Sequence, residues 1–153
     1  LEAVGVALDQ IEADYPTIQI LDQTEFKESI SGQINQLLSL IYAKLSPDDE
    51  RVKAVLVWLQ NNFSATENPG LGGQGLYYYY HSMAKALTAL NLGELRKSDG
   101  TAIDWRQEIG NRLLNSQQPA GSWINPTARW RESDAVYATA LATLTLIHIH
   151  NSL

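Results

Sequence analysis

"GNRLLNSQQPAGSW", residues 110–123, changes character halfway: apolar positions at helical spacing give way to Pro119 and Gly121, which cannot carry a helix on. The helix it ends begins at a cap, Asp104, and runs to about Ser116. The loop it opens, "QQPAGSWINPTARWRES", has two prolines and a glycine. Beyond the loop, Asp134 to about His150 is apolar almost all round, with Ser133 or Asp134 as its cap. "KAVLVWLQNNF", residues 53–63, behaves the same way. It closes a helix, enters the glycine-bearing loop "SATENPGLGGQG", and leads to a more apolar helix from Leu76 to Leu90, ended by Asn91-Leu92-Gly93. Two such units recur at a period of about 50 residues, the size at which paired helices stack into arrays.

Upstream, Ile34, Leu37, Leu38, Ile41 and Leu45 mark a helix from Gln33 to Leu45. "LSPDDE" then starts the helix that reaches about Asn62, with Ser46 as cap, Pro47 in the first turn and Asp49 completing a Ser-x-x-Asp box. In the first thirty residues, Leu1 to Ala13 reads as helical through Val4, Leu8 and Ile11, "YPTIQIL" as extended, and "DQTEFKES" as a further cap. The division is an N-terminal segment over residues 1–30 and a repeat domain over 31–153. "GLGGQG" has no preceding strand and no Lys-Ser/Thr of a phosphate-binding loop, so its glycines serve tight turns beside the next helix.

Composition narrows the function classes. The chain has 153 residues, 44% apolar and 18% charged, which suits one globular core. Its net charge of -6, with eleven scattered Lys and Arg, offers no basic face to nucleic acid. There is no cysteine, hence no disulfide and no thiolate chemistry, and the compartment stays open. No apolar run approaches a membrane span, so a soluble protein is expected. The chain begins at Leu1 and its one methionine is Met83, which leads us to expect sequence before it.

Gln117-x-x-x-Gly121-x-Trp123 resembles the QW motif of the squalene-hopene cyclase and prenyltransferase repeat family, and Lys53-Ala54-x-x-x-Trp58-Leu59 resembles the first half of another copy. Phe63 stands where that copy would have its glutamine. The run from Ser46 to Leu87 is similar to bacterial members of the same family, and the resemblance spans about residues 30–150. It implies an all-α fold, an α/α toroid with inner helices around a cavity and outer helices wrapping them. Two and a half to three hairpins of this toroid are present, so preceding sequence or a homodimer would complete it. In this frame Gln117 and Trp123 tie a helix end to its neighbour. The helices from 52 and 104, with their charges, suit the outer ring, and those from 33, 76 and 134 suit the inner one, covered on several sides.

The family's acid motif, Asp-x-Asp-Asp, needs several carboxyls together to keep one protonated. Here Arg131-Glu132-Ser133-Asp134 supplies two, and Asp134 equally reads as a cap. The zinc site of related prenyltransferases needs a cysteine, and His148 and His150 point apart on a helix, so neither metal nor cofactor is expected. A third chemistry on such toroids, polysaccharide lysis by Tyr, His and Arg, finds Tyr77 and His81 four apart on one helix face and Arg129 and Arg131 in a loop. Trp130 and Glu132 join the arginines as a group that pairs its own charges at the surface or recognises a ligand. In "YYYY", Tyr80 faces the core, Tyr77 shares a mixed face with His81 toward the cavity, and Tyr78, with Ser82 and Lys85, and Tyr79, with Met83, meet flanking helices. The expectation is a non-catalytic module that binds an apolar small molecule or a partner protein. Its rivals are a degenerate cyclase and a lyase acting in the cavity.

Overall fold

A computed structural model describes residues 30–153 except Leu45, Pro47 and Ala128. The expectations for the first 29 residues, and for Pro47 in a helical first turn, lie outside the described residues. Five α-helices follow in order: α1 Ile30–Tyr42, α2 Glu50–Asn62, α3 Leu76–Ala89, α4 Trp105–Ser116 and α5 Ala135–Asn151. Between α3 and α4 lie two short strands, β1 Leu95–Arg96 and β2 Ala102–Ile103, and a single 3-10 turn, Arg129–Arg131, precedes α5. The described chain is all-α save for this small hairpin.

The helix ends show why each element starts and stops. The apolar period of α1 continues to Leu45, but the helix closes at Tyr42 because Lys44 turns to a left-handed backbone (φ 57°) and donates its N–H to the Ile41 carbonyl. Residues before a proline are disfavoured in helical geometry, so the turn has to come ahead of Ser46. α2 starts later than its Ser-x-x-Asp signal suggests. Asp49 is the cap, accepting from the Arg51 N–H, while the Ser46 hydroxyl accepts from Asp48 and shapes the turn before it. Asp104 and Asp134 cap α4 and α5, each accepting from two N–H groups of the first turn. At its far end α3 closes in a Schellman motif: Leu92 N–H reaches the Leu87 carbonyl and Asn91 N–H reaches Thr88, with Asn91 left-handed.

Two short strands fill the stretch between α3 and α4. Leu95 pairs with Ile103 and Arg96 with Ala102, closed by "KSDGT", in which Gly100 takes φ 88° and the Asp99 carboxylate accepts from Thr101 N–H. Leu95 is buried, the hairpin packs on α2, and the buried Trp105 indole donates to the Leu92 carbonyl at 2.7 Å, tying the start of α4 to the end of α3.

Packing runs α2–α1–α3–α5–α4, with α3 and α5 sharing the largest interface. Leu37 of α1, Leu59 of α2, Met83 and Leu87 of α3, Ile109 of α4 and Leu141 of α5 meet in one core. α5 departs from the expectation of an element covered on several sides. Val136 (81% exposed), Tyr137, Ala140, Leu144 and Ile147 (47% exposed) recur at helical spacing along a face that no described element covers. Among the described residues no helix is long and apolar enough to cross a membrane.

Candidate functional site

Four consecutive side chains on a helix spread around most of its circumference, so "YYYY" must meet several neighbours. Tyr79 and Tyr80 are buried and hold down the chain that leaves α2. Tyr79 Oη donates to the Ser64 carbonyl at 2.8 Å, and Tyr80 Oη to the Ala65 carbonyl at 2.6 Å. Burial pushes both phenols up, Tyr80 to about 12, so both remain protonated donors. Tyr77 is buried too, edge-on to Tyr80 with ring centroids 6.2 Å apart. Burial raises its phenol, partly offset by the Ser116 hydroxyl and by Arg112 of α4.

Tyr78 differs. It is half-buried, and together with His81, Ser82 and Lys85 it forms one wall of a cleft of about 430 Å³. Asn35, Leu38, Ser39 and Tyr42 of α1 form the facing wall. Tyr78 Oη donates to Asn35 Oδ1 at 3.1 Å across the cleft floor, leaving the Asn35 amide hydrogens as donors. Ser39 donates to the Asn35 carbonyl, and the Lys85 ammonium sits 5.3 Å from the Tyr42 ring centroid, in cation–π range. His81 lies tilted against His148 of α5 with ring centroids 5.5 Å apart, and its Nδ1 is buried with no hydrogen-bond partner among the described residues. Burial first, then the proximity of His148 and Lys85, pushes the His81 ring down to about 4, so it is neutral near pH 7. The cleft therefore combines an apolar wall, several hydrogen-bond donors and one ammonium, in the size range of small-molecule sites.

The residues singled out from the sequence are distributed over several places. His81 lines the cleft, whereas Tyr77, four residues earlier, does not. Tyr77, one turn nearer the start of α3, meets Tyr80 and the Ser116 end of α4, while His81 meets His148 of α5 and lines the cleft opposite α1. Glu132 corrects the picture of a surface charge group. It is fully buried, its Oε1 accepting from the Tyr78 N–H at 2.8 Å and its Oε2 from Asn125 Nδ2 at 2.7 Å. The Tyr78 N–H is one of the donors a helix start leaves without an internal partner, so this carboxylate caps α3 from 54 residues away. Asn125 also donates to the Gly73 carbonyl, which fastens the two long loops together. Asp134 is engaged separately, capping α5 and lying 3.7 Å from the exposed Arg131 guanidinium. Trp130 and Arg131 both have left-handed backbone (φ 61° and 64°), and the Trp130 ring covers Gly75. The side chain of Arg129 lies outside the described residues.

In the QW-like pattern, Trp123 is buried and its indole donates to the Leu113 carbonyl of α4 at 2.9 Å, while its own N–H donates to Thr139 of α5. Gln117 donates to the Gly121 carbonyl within its own loop, where Gly121 takes φ 83°. Trp58 packs half-buried against the core, and exposed Lys53 pairs with Asp48 at 3.1 Å. Among the described residues no three His, Cys, Asp or Glu side chains come together to hold a metal ion.

Sequence reasoning missed the α1 wall. Asn35, Ser39 and Tyr42 fall at helical spacing and form a mixed polar stripe beside an apolar one, and that stripe was the available signal. Tyr78, Ser82 and Lys85 were grouped correctly as one face, but a face toward a neighbouring helix and a face toward a cleft look alike in sequence. Comparison with protein-family models, curated proteins and solved structures yields no match for this chain.

Proposed function

We propose that the chain is a non-catalytic helical-repeat module of the α/α-toroid kind, similar in construction to the squalene-hopene cyclase and prenyltransferase repeat family, and that it binds a ligand in the cleft between α1 and α3. The observation that carries the binding reading is the cleft itself: about 430 Å³, with aromatic and aliphatic walls and convergent donors around one ammonium. Supporting the toroid reading, α1, α3 and α5 pack in a row, while α2 and α4, which carry most of the helical charge, pack on α1 and α5. The uncovered face of α5 is where the next hairpin of such an array packs, supplied by preceding sequence or by a second copy of the chain.

The test is a fragment screen by ¹H–¹⁵N NMR on the full chain, using neutral, anionic and cationic fragments. At least one fragment should shift the amides of Tyr78, His81 and Ser82 saturably and be recovered unchanged. Ser82→Trp, which fills the cleft, should abolish the shifts. A screen in which no fragment moves these amides, or in which the shifts survive Ser82→Trp, sinks the reading.

A further inference from the structure

The charge pattern of the packed helices narrows what the cleft accepts. α1, α3 and α5 contain no Asp or Glu at all, and Lys85 is their one Lys or Arg. Seven of the 17 acidic residues and one of the eleven basic ones fall in residues 1–29, leaving ten of each in residues 30–153. The remainder is neutral as a whole, so the positive character of the cleft is local. Among the described residues Lys85 has no carboxylate partner, and its close neighbour is the face of Tyr42.

Around this ammonium donors remain available. Asn35 has its oxygen engaged by Tyr78 and keeps its amide hydrogens, and the Ser82 hydroxyl and His81 also line the space, whereas Ser39 has its hydroxyl hydrogen on the Asn35 carbonyl. Beside them Leu38, Tyr42 and Tyr78 present an apolar surface. We infer that the cleft between α1 and α3 is a site for a small organic monoanion, an aryl- or alkyl-carboxylate. Its carboxylate lies against Lys85 and the neighbouring donors, and its apolar body against Leu38, Tyr42 and Tyr78. This inference rests on the cleft being a ligand site, as proposed above.

The chemistry excludes the opposite and the more highly charged cases. A cationic ligand meets Lys85 and finds no carboxylate in the lining, which is repulsion without compensation. A dianion such as inorganic phosphate finds one cation and an apolar wall, so half its charge is desolvated without a partner. A monocarboxylate exchanges the weak ring contact of Lys85 for a charge-assisted hydrogen bond, the stronger interaction.

The experiment uses the full ¹⁵N-labelled chain and three matched probes: 4-phenylbutyrate, 4-phenylbutanamide and 4-phenylbutylamine. The carboxylate should shift the amides of Tyr78, His81, Ser82 and Lys85 saturably and bind about tenfold more tightly than the amide, with no shift from the amine or from inorganic phosphate. Lys85→Gln should weaken the carboxylate about tenfold and Lys85→Arg should restore it. Lys97→Gln, the same charge change in the β-hairpin, should have no effect. Equal binding of acid and amide, or indifference to Lys85→Gln, overturns the anion assignment while leaving the cleft a ligand site. If none of the three probes moves these amides and the fragment screen is equally silent, both readings fall.

Discussion

Glu132 shows how much a single carboxyl can organise when it is buried. Each of its oxygens accepts one donor, the Tyr78 N–H from the start of α3 and the Asn125 amide that also grips Gly73. Removing the side chain leaves the Tyr78 N–H and one of the Asn125 amide hydrogens without a partner, the other hydrogen staying on Gly73, at about 1–3 kcal/mol apiece. Glu132→Ala should therefore cost about 3 kcal/mol in urea unfolding. Glu132→Gln keeps one acceptor but turns an NH₂ group toward the other donor, and should fall between, at about 1–2 kcal/mol. Equal stability of the three proteins would remove this carboxylate from its role. Glu132 was visible in the sequence only as a charge beside arginines. Its partners are 54 and 7 residues away, and burial of a charged group is set by what folds over it rather than by its neighbours along the chain.

At the scale of elements, local chemistry was legible wherever the signal is itself local. The caps Asp104 and Asp134 and the Asn91 stop each act within a few residues, and each sits where its residue type suggested. The β-hairpin leaves little trace in the sequence because two residues per strand are too few for an alternating pattern, although Asp99-Gly100 is a turn signal. The start of α3 combines local and distant control. Gly75 takes φ 62°, and a Cβ there would lie 2.5 Å from the Trp130 ring, whereas Gly100 takes φ 88° with nothing within 4 Å. Left-handed backbone alone costs an alanine about 1–2 kcal/mol. Gly100→Ala should thus lose about 1 kcal/mol, and Gly75→Ala about 3 kcal/mol or more, because the indole must move as well. Matched thermal melts of the two variants check this, and equal losses would show that Trp130 does not constrain the α3 start.

For the whole molecule, the uncovered face of α5 has a direct consequence. Exposed apolar stripes on helices drive association, and here Val136, Tyr137, Leu144 and Ile147 are all accessible. The chain should sediment above its monomer mass with increasing concentration. Ile147→Glu, at an exposed site, should shift it toward monomer while changing unfolding stability by less than about 0.5 kcal/mol. A strictly monomeric wild type at high concentration counts against packing through this face. The sequence by itself determined the helical class, the five described helices to within a few residues, and the absence of thiolate chemistry. Those features follow from residue type and spacing along the chain. Only the tertiary structure decided that Tyr77 and His81 part company, that Glu132 is an internal cap, and that Asn35, Ser39, Tyr42, Tyr78, Ser82 and Lys85 share one cleft. A cleft is bounded by two helices that the sequence lists separately, and which faces oppose each other depends on packing angles and offsets that periodicity does not encode.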